Sequence, residues 1–312
     1  MHIKSAIVNG ALGSVGLALV NCLLKKSIKT YAIVYPGDKR ISLIPDSAVV
    51  VPCDMRTIED LSSKIAEPVD AFFHLAWMGT IGPERDDMLL QTENIRCAIE
   101  AAKVAKELNC SVYVGVGSQA EHGRVEGMIR PDTPCFPLTG YGMAKLCAGQ
   151  MTRSVCQKLN MRHVWARILS VYGPNDGPLS VTSVIIDKLL AGETPSLTAG
   201  EQLWDYLYAD DAAEGLFCMA ESGKDGSIYP LGSGQVRTLR EFFEAIRDAV
   251  DPKLQLGLGE IPYAKNQVMH LQADISTLTA DTVFVPSVQF EDGIAKTVEV
   301  RRSKFKNVER NK

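Results

Sequence analysis

Short, continuous apolar runs alternate with segments of helical period through the first half of the chain. Ser5–Val8, Thr30–Tyr35, Ala48–Val51, Asp70–Leu75, Ser111–Val116 and Arg162–Val171 read as six strands. Val15–Lys26, Arg85–Leu108 and Tyr141–Lys158 read as helices, and a further helix is expected to start near a Thr57 cap and Glu59. Val-, Ile- and Phe-rich runs without alternation suit strands buried on both faces. Strands that alternate with helices predict right-handed crossovers and one parallel sheet. The pattern changes near residue 174, where Pro174, Asn175, Asp176, Gly177 and Pro178 form a loop. Beyond it lie helices near 180–191, 210–221 and 238–250, with brief strands near 203–208 and 227–231. The expected organisation is α/β: a doubly wound lobe over residues 1–173 and a smaller mixed lobe over 174–312, part of which can return to the main sheet.

Composition narrows the class. The chain has 312 residues, 46% of them apolar and 22% charged, which fits a soluble globular protein with a large core. The net charge of −4 gives no electrostatic footprint for nucleic acid. The basic segment from Val300 to Lys312 reads as a solvated, fraying terminus. Ser5 to Leu24 carries no charge, but Asn9, Gly10, Gly13, Ser14, Gly16 and Asn21 interrupt it, so it reads as strand, turn and helix and not as a leader or membrane span. Eight cysteines form no CxxC pair, and five histidines lack ligand spacing; no metal site is expected. Unpaired cysteines in apolar runs point to a reducing, cytoplasmic setting.

The first chemical motif is Gly10-Ala11-Leu12-Gly13-Ser14-Val15-Gly16, directly after a strand and opening a helix. Glycines at this spacing allow a tight turn, close approach of a pyrophosphate and close helix–strand packing. The helix start then turns its N–H groups to the phosphates. This predicts a Rossmann-type dinucleotide site. The turn after the second strand holds Asp38, Lys39 and Arg40. An acid suits the ribose of NAD and a cation the 2′-phosphate of NADP; the two cations favour NADP, with Arg40 as the contact. Asp54, before Met55 at the end of the third strand, would either meet the adenine amino group or cap the next helix. Leu75 and Ala76 would leave room for a nicotinamide ribose. His74, inside an apolar run, reads as a core histidine.

The strongest constellation is Ser118, Tyr141 and Lys145. Tyr141-Gly142-Met143-Ala144-Lys145 is YxxxK, which on a helix puts phenol and ammonium on one face. A nearby ammonium would lower the phenol from its usual ~10 toward working pH. Ser118, at a strand end, could bond the same substrate oxygen.

With these motifs the chain resembles the extended short-chain dehydrogenases/reductases of the NAD-dependent epimerase/dehydratase group. The resemblance runs from about Lys4 to Arg301. It rests on Gly10–Gly16, Asp54, His74–Trp77, Ser118–Gly123, Tyr141–Lys145, Arg167–Pro174, Leu203–Asp211 and Leu231–Leu239, with Asp274–Leu278 and Phe290–Thr297 closing the pattern. It implies a bound nicotinamide cofactor and a nucleotide-sugar substrate. It further implies Tyr141 as acid/base, Lys145 on the nicotinamide ribose and Tyr141, and Ser118 on the substrate oxygen.

Departures from the family pattern sharpen the expectation. The dehydratases carry Asp-Glu directly after the Ser/Thr position; here those places are Gln119 and Ala120, and Glu121 is expected to solvate the loop. Gln119 also replaces the cysteine of the members that combine epimerisation with reduction. Ser170 stands for the common Asn and Trp204 for the Arg that meets the diphosphate, with Arg237 or Arg240 as substitutes for that charge. Trp77 replaces a small residue and would wall the sugar or serve as a core aromatic. Trp77, Ser118, Asn175 and Trp204 are the expected substrate contacts. The leading expectation is a reductase of a nucleotide 4-keto-6-deoxyhexose. A 4-epimerase with retained NAD is the alternative, and an NADP-binding sensor or scaffold the non-enzymatic one. The helices at 85–108 and 141–158 would pair two copies into a homodimer.

Overall fold

The computed structural model describes residues 2–265 and 267–310, the last four by backbone only. A seven-stranded, fully parallel sheet forms its centre. In chain order its first strands are β1 (Ser5–Asn9), β2 (Lys29–Val34), β3 (Val49–Pro52), β4 (Ala71–His74) and β5 (Val112–Ser118). The helices among them are α1 (Ser14–Lys25), α2 (Leu61–Lys64) and α3 (Met88–Glu107). A short β6 (Met128–Ile129), α4 (Gly140–Lys158) and β7 (Arg162–Ile168) follow. The second half holds β8 (Ser170–Tyr172), α5 (Val181–Leu190), β9 (Ser196–Leu197), β10 (Leu203–Trp204), β11 (Tyr206–Tyr208), α6 (Ala209–Ser222) and β12 (Ser227–Leu231). It ends with β13 (Arg237–Thr238), α7 (Leu239–Val250), β14 (Gly257–Leu258), β15 (His270–Ala273), α8 (Ser276–Thr282) and α9 (Phe290–Arg310).

The strand order is β12-β7-β5-β4-β1-β2-β3. The chain runs outward from β1 to β3, then crosses back to β4 on the other side of β1. This is the Rossmann arrangement, and its reversal opens a crevice beyond the carboxyl ends of β1 and β4. Both sheet faces are covered. Leu17, Leu19, Leu216 and Met219 of α1 and α6 pack on Val8, Phe73 and Val114. Ala101, Ala102 and Ala105 of α3 pack with Leu61 on Ile7, Phe72 and Tyr113. Small residues let α3 lie close to the strands. The segment after residue 173 serves two bodies, since α6 and β12 complete the main sheet while α5, α7 and α9 enclose an aromatic core of Tyr172, Tyr208, Phe242 and Phe290. No helix among the described residues is long and apolar enough to cross a membrane.

Several local expectations are corrected. The strand read as Arg162–Val171 stops at Ile168. Leu169 donates its N–H to Leu231, and the next three residues pair with β11 in a separate two-stranded sheet. The cap after β3 is Asp54, which accepts the Arg56 N–H, whereas Thr57 sits at non-helical φ −123°, ψ 43° inside a 3₁₀ turn. Only one turn of α-helix follows. The basic terminus does not fray at Val300. It continues α9, with Arg301 paired to Asp187, Arg302 donating to the Val250 carbonyl and Lys304 to that of Pro174. Lys312 lies outside the described residues.

The segment read as one strand over 203–208 breaks at Asp205. Its fully buried carboxylate accepts the N–H groups of Ser233 (2.6 Å), Gly234 (3.0 Å) and Ala273 (3.0 Å) and the Ser233 hydroxyl (2.6 Å). One side chain thus ties β10–β11, the β12–β13 turn and β15. Asp205→Ala strands these donors. It is expected to cost at least about 3 kcal/mol, seen as a lower denaturant midpoint at unchanged slope.

Candidate active site

Two clefts meet at the crevice, one on each side of Trp77. The first, about 410 Å³, is lined by Gly10, Leu12, Gly13, Asp38, Arg40, Asp54, Met55, Ala76 and Trp77. The second, about 270 Å³, is lined by Gly10, Gly13–Gly16, Leu75, Trp77, Ser118, Tyr141 and Lys145. All the residues expected to hold a cofactor lie on one or the other. Asn175 and Trp204 lie on neither. Asn175 is exposed in its loop, and Trp204 is half-buried between lobes.

The glycine turn is shaped for close approach. Gly10 sits at φ +91°, and a Cβ there would lie 2.6 Å from the Ala76 nitrogen. A Cβ on Gly16 would collide with the Gly10 carbonyl. Helix α1 starts at Gly13 with no side-chain cap and no acid in its first turn, which leaves that turn open to phosphate oxygens. Ser14 is anchored from behind, its hydroxyl donating to Asp176 at 2.7 Å. A glycine cradle, an uncapped helix start and two confluent clefts fit a dinucleotide.

Arg40 bridges the turn after β2 to the cradle. It donates to both carboxylate oxygens of Asp38 (3.1 and 2.7 Å) and to the Leu12 carbonyl (3.3 Å). This pairing holds the Asp38 carboxyl below the usual carboxylate range. Asp54 both caps the following turn and lines the first cleft. His74 is buried, its Nδ1 3.0 Å from the Asn9 amide, and burial pulls it down to about 3. It therefore stays neutral, in keeping with a core histidine.

Ser118, Tyr141 and Lys145 converge on the second cleft. Thr139 caps α4 and sets Tyr141 in its first turn. The charge relation between phenol and ammonium differs from the expected one. Lys145 is buried, donates to the Val116 carbonyl at 2.7 Å and lies 3.8 Å from the centre of the Trp77 ring. Burial pulls this lysine down to about 7. The phenol is raised and not lowered, because burial outweighs its hydrogen bond to Ser118 and the nearby Arg85 charge. With Lys145 turned to Val116 and Trp77, its ammonium does not offset the desolvation of Tyr141.

Trp77 stands where the two clefts join. Its Nε1–H donates to Gln91 at 2.9 Å, and its ring meets Tyr141 edge to face at 6.2 Å. Gln91 and Asn94, both buried in α3, also accept from or donate to Met78 and Gly79. The Trp204 indole donates to the Ser170 hydroxyl at 2.7 Å. The two departures noted separately in the sequence are therefore bonded to each other. Neither expected substitute for the missing arginine points to the active site. Arg237 pairs with Glu291, and Arg240 donates to the Ala199 carbonyl.

Glu121 does not solvate the loop. It is fully buried and accepts from the Ser118 N–H (2.9 Å), Trp165 Nε1 (3.0 Å) and Arg167 Nε (2.7 Å). The signal was present as Ser118-x-x-Glu121, the capping-box spacing, and the structure closes that box. Arg167 and Trp165 carried no such local signal, because they reach Glu121 only through the β5–β7 pairing.

The chain belongs to the NAD dependent epimerase/dehydratase family, whose model matches residues 6–232. It is an enzyme of the extended short-chain dehydrogenase/reductase type. It is 25% identical over 218 residues to dTDP-4-dehydro-6-deoxyglucose reductase of Escherichia coli, covering 68% of each chain. It is 26% identical over 249 residues to dTDP-6-deoxy-L-talose 4-dehydrogenase (NAD(+)) of Aggregatibacter actinomycetemcomitans, covering 76% of this chain and 87% of that one. Its fold matches that of UDP-N-acetylglucosamine 4-epimerase from Methanobrevibacter ruminantium with a TM-score of 0.88 at 23% identity, over 97% of this chain and all of the other.

Glu121→Gln removes the counter-charge of a buried guanidinium. The expected cost is about 3–5 kcal/mol in a denaturation experiment, because Arg167 is then left uncompensated.

Proposed function

We propose that the protein reduces the C4 ketone of a nucleotide-linked 4-keto-6-deoxyhexose. The observation that carries this reading is the convergence of Ser118, Tyr141 and Lys145 at the mouth of a dinucleotide-shaped crevice. The bound nicotinamide would supply hydride. Tyr141 gives its phenolic proton to the C4 oxygen as negative charge develops there. Ser118 orients that oxygen, with its own backbone held by Glu121. Lys145, held by the Val116 carbonyl and the Trp77 ring, would meet the nicotinamide ribose.

Three features support reduction over the family's other reactions. Gln119 and Ala120 occupy the places where a dehydratase needs its acid and base, and the neighbouring carboxylate Glu121 is consumed by Arg167 and Trp165. Both curated relatives cited above are named for oxidation or reduction of 6-deoxyhexose nucleotides. Arg40 lines the first cleft, where it would meet the 2′-phosphate of NADP in exchange for its pairing with Asp38.

The experiment is to identify any nucleotide released on denaturation, titrate NADPH and NADH, and assay 4-keto-6-deoxyhexose nucleotides. The expected result is an empty or exchangeable site, tighter NADPH binding, and C4 reduction. Tyr141→Phe should lower turnover by about 10²–10⁴-fold with cofactor affinity nearly unchanged. Near-stoichiometric retained NAD with 4-epimerase turnover would overturn the reductase in favour of the epimerase. Cofactor binding without turnover, unchanged by Tyr141→Phe, would favour a sensor.

We also read the protein as a homodimer. Helices α3 and α4 lie side by side, and Met88, Leu89, Met143 and Met151 are exposed on them. Sedimentation should give twice the chain mass, and Met143→Glu with Met151→Glu should halve it.

A further inference from the structure

Arg85, which no motif singled out, lies against the catalytic phenol. Its guanidinium carbon sits 4.3 Å from the centre of the Tyr141 ring. The position is set from two sides. Arg85 Nη1 donates to the Thr80 carbonyl at 2.7 Å, and the next residue, Asp86, accepts the Gly140 N–H at 2.8 Å. The turn Pro83–Asp86 is therefore pinned to the first residue of α4, one position before Tyr141. Gly79 and Gly82, both at φ +66°, let the chain fold back into that turn. A Cβ on Gly79 would lie 2.9 Å from Glu84 Cβ and Leu90 Cδ2, so the fold-back is closely packed.

We propose that Arg85 is a second cation of the catalytic site, held on the face of the Tyr141 ring so that it favours the phenolate, an inference that rests on Tyr141 being the proton donor. A guanidinium over an aromatic face is attracted to it, and more strongly once the ring carries charge. The groups facing the phenol are few. Arg85 comes from the 83–86 turn with Asp86 beside it. Lys145 comes from α4, with its ammonium 5.8 Å from the ring centre. Ser118 and Glu121 come from the turn after β5, and the neutral Trp77 from the end of β4. Lys145 is directed to the Val116 carbonyl and Trp77. Glu121 opposes ionisation of the phenol, while the Arg85 charge favours it. Each reduction leaves a phenolate behind, and Arg85 lowers the cost of that state. Arg85 acts through Tyr141 and is a positioning and electrostatic residue.

The test compares Arg85→Gln with Arg85→Lys. Glutamine can still donate to Thr80 but carries no charge; lysine keeps the charge. Ultraviolet difference titration of each variant against the same variant carrying Tyr141→Phe isolates the ionisation of Tyr141 among nine tyrosines. Arg85→Gln should move that ionisation upward by about half to one pH unit, a loss of phenolate of about three- to tenfold. The tyrosine-dependent limb of the pH–rate profile should move the same way. Arg85→Lys should stay near wild type. Equal shifts in both variants, or none in Arg85→Gln, would overturn the proposal. A shifted ionisation with turnover indifferent to Tyr141→Phe would instead sink the catalytic reading of Tyr141 and leave the Arg85 contact standing.

Discussion

The active site rests on one buried ion pair. Glu121 and Arg167 are both removed from water, which is costly unless every lone pair and proton is met. Here the carboxylate has three donors: the Arg167 guanidinium, the Trp165 indole and the Ser118 backbone. Those donors come from β5 and β7, neighbours in the sheet. The glycines of β5 make the arrangement fit, since a Cβ on Gly117 would fall on the Glu121 carboxylate and the Trp165 indole. An apolar replacement of like shape could be equally stable, but it would leave the Ser118 N–H without its acceptor. The pair thus exchanges little net stability for a fixed serine.

Above that pair, burial and charge oppose one another. Tyr141 and Lys145 are both desolvated, so the phenol is raised and the ammonium lowered. Each shift favours the neutral form, the reverse of what proton transfer to a ketone leaves behind. The surroundings offset this with π faces and cations: Lys145 over Trp77, Trp77 edge-on to Tyr141, Arg85 over Tyr141. Gln91, buried in α3, holds the indole in place for this role.

The smaller lobe is joined to the sheet by polar hubs as well as by apolar contacts. Asp205 gathers three backbone N–H groups, and Asp211 accepts those of Ser287 and Val288. The Trp204–Ser170 bond replaces a family arginine and asparagine with an indole and a hydroxyl.

The sheet, its parallel sense and the dinucleotide crevice were legible because they rest on local patterns: unbroken apolar runs, a glycine spacing, YxxxK on a helix. Such patterns depend on neighbours within about one helical turn or strand, which a sequence displays directly. Element ends were less legible. Thr57 did not form the cap read there, since Asp54, for which a cap was one of two readings, accepts the Arg56 N–H two residues on, and Asp205 broke a strand because its partners come from the β12–β13 turn and β15. Glu121 looked like a loop charge until the pairing of β5 with β7 brought Arg167 and Trp165 to it. Arg85 carried no motif at all; its place over Tyr141 depends on a turn between β4 and α3 docking on the start of α4. Local patterns display the fold class, the glycine turn and the Tyr141–Lys145 spacing. Which charges face the phenol depends on the folded chain, because those contacts join residues tens of positions apart, and burial, which raises the phenol, outweighs the charges that lower it.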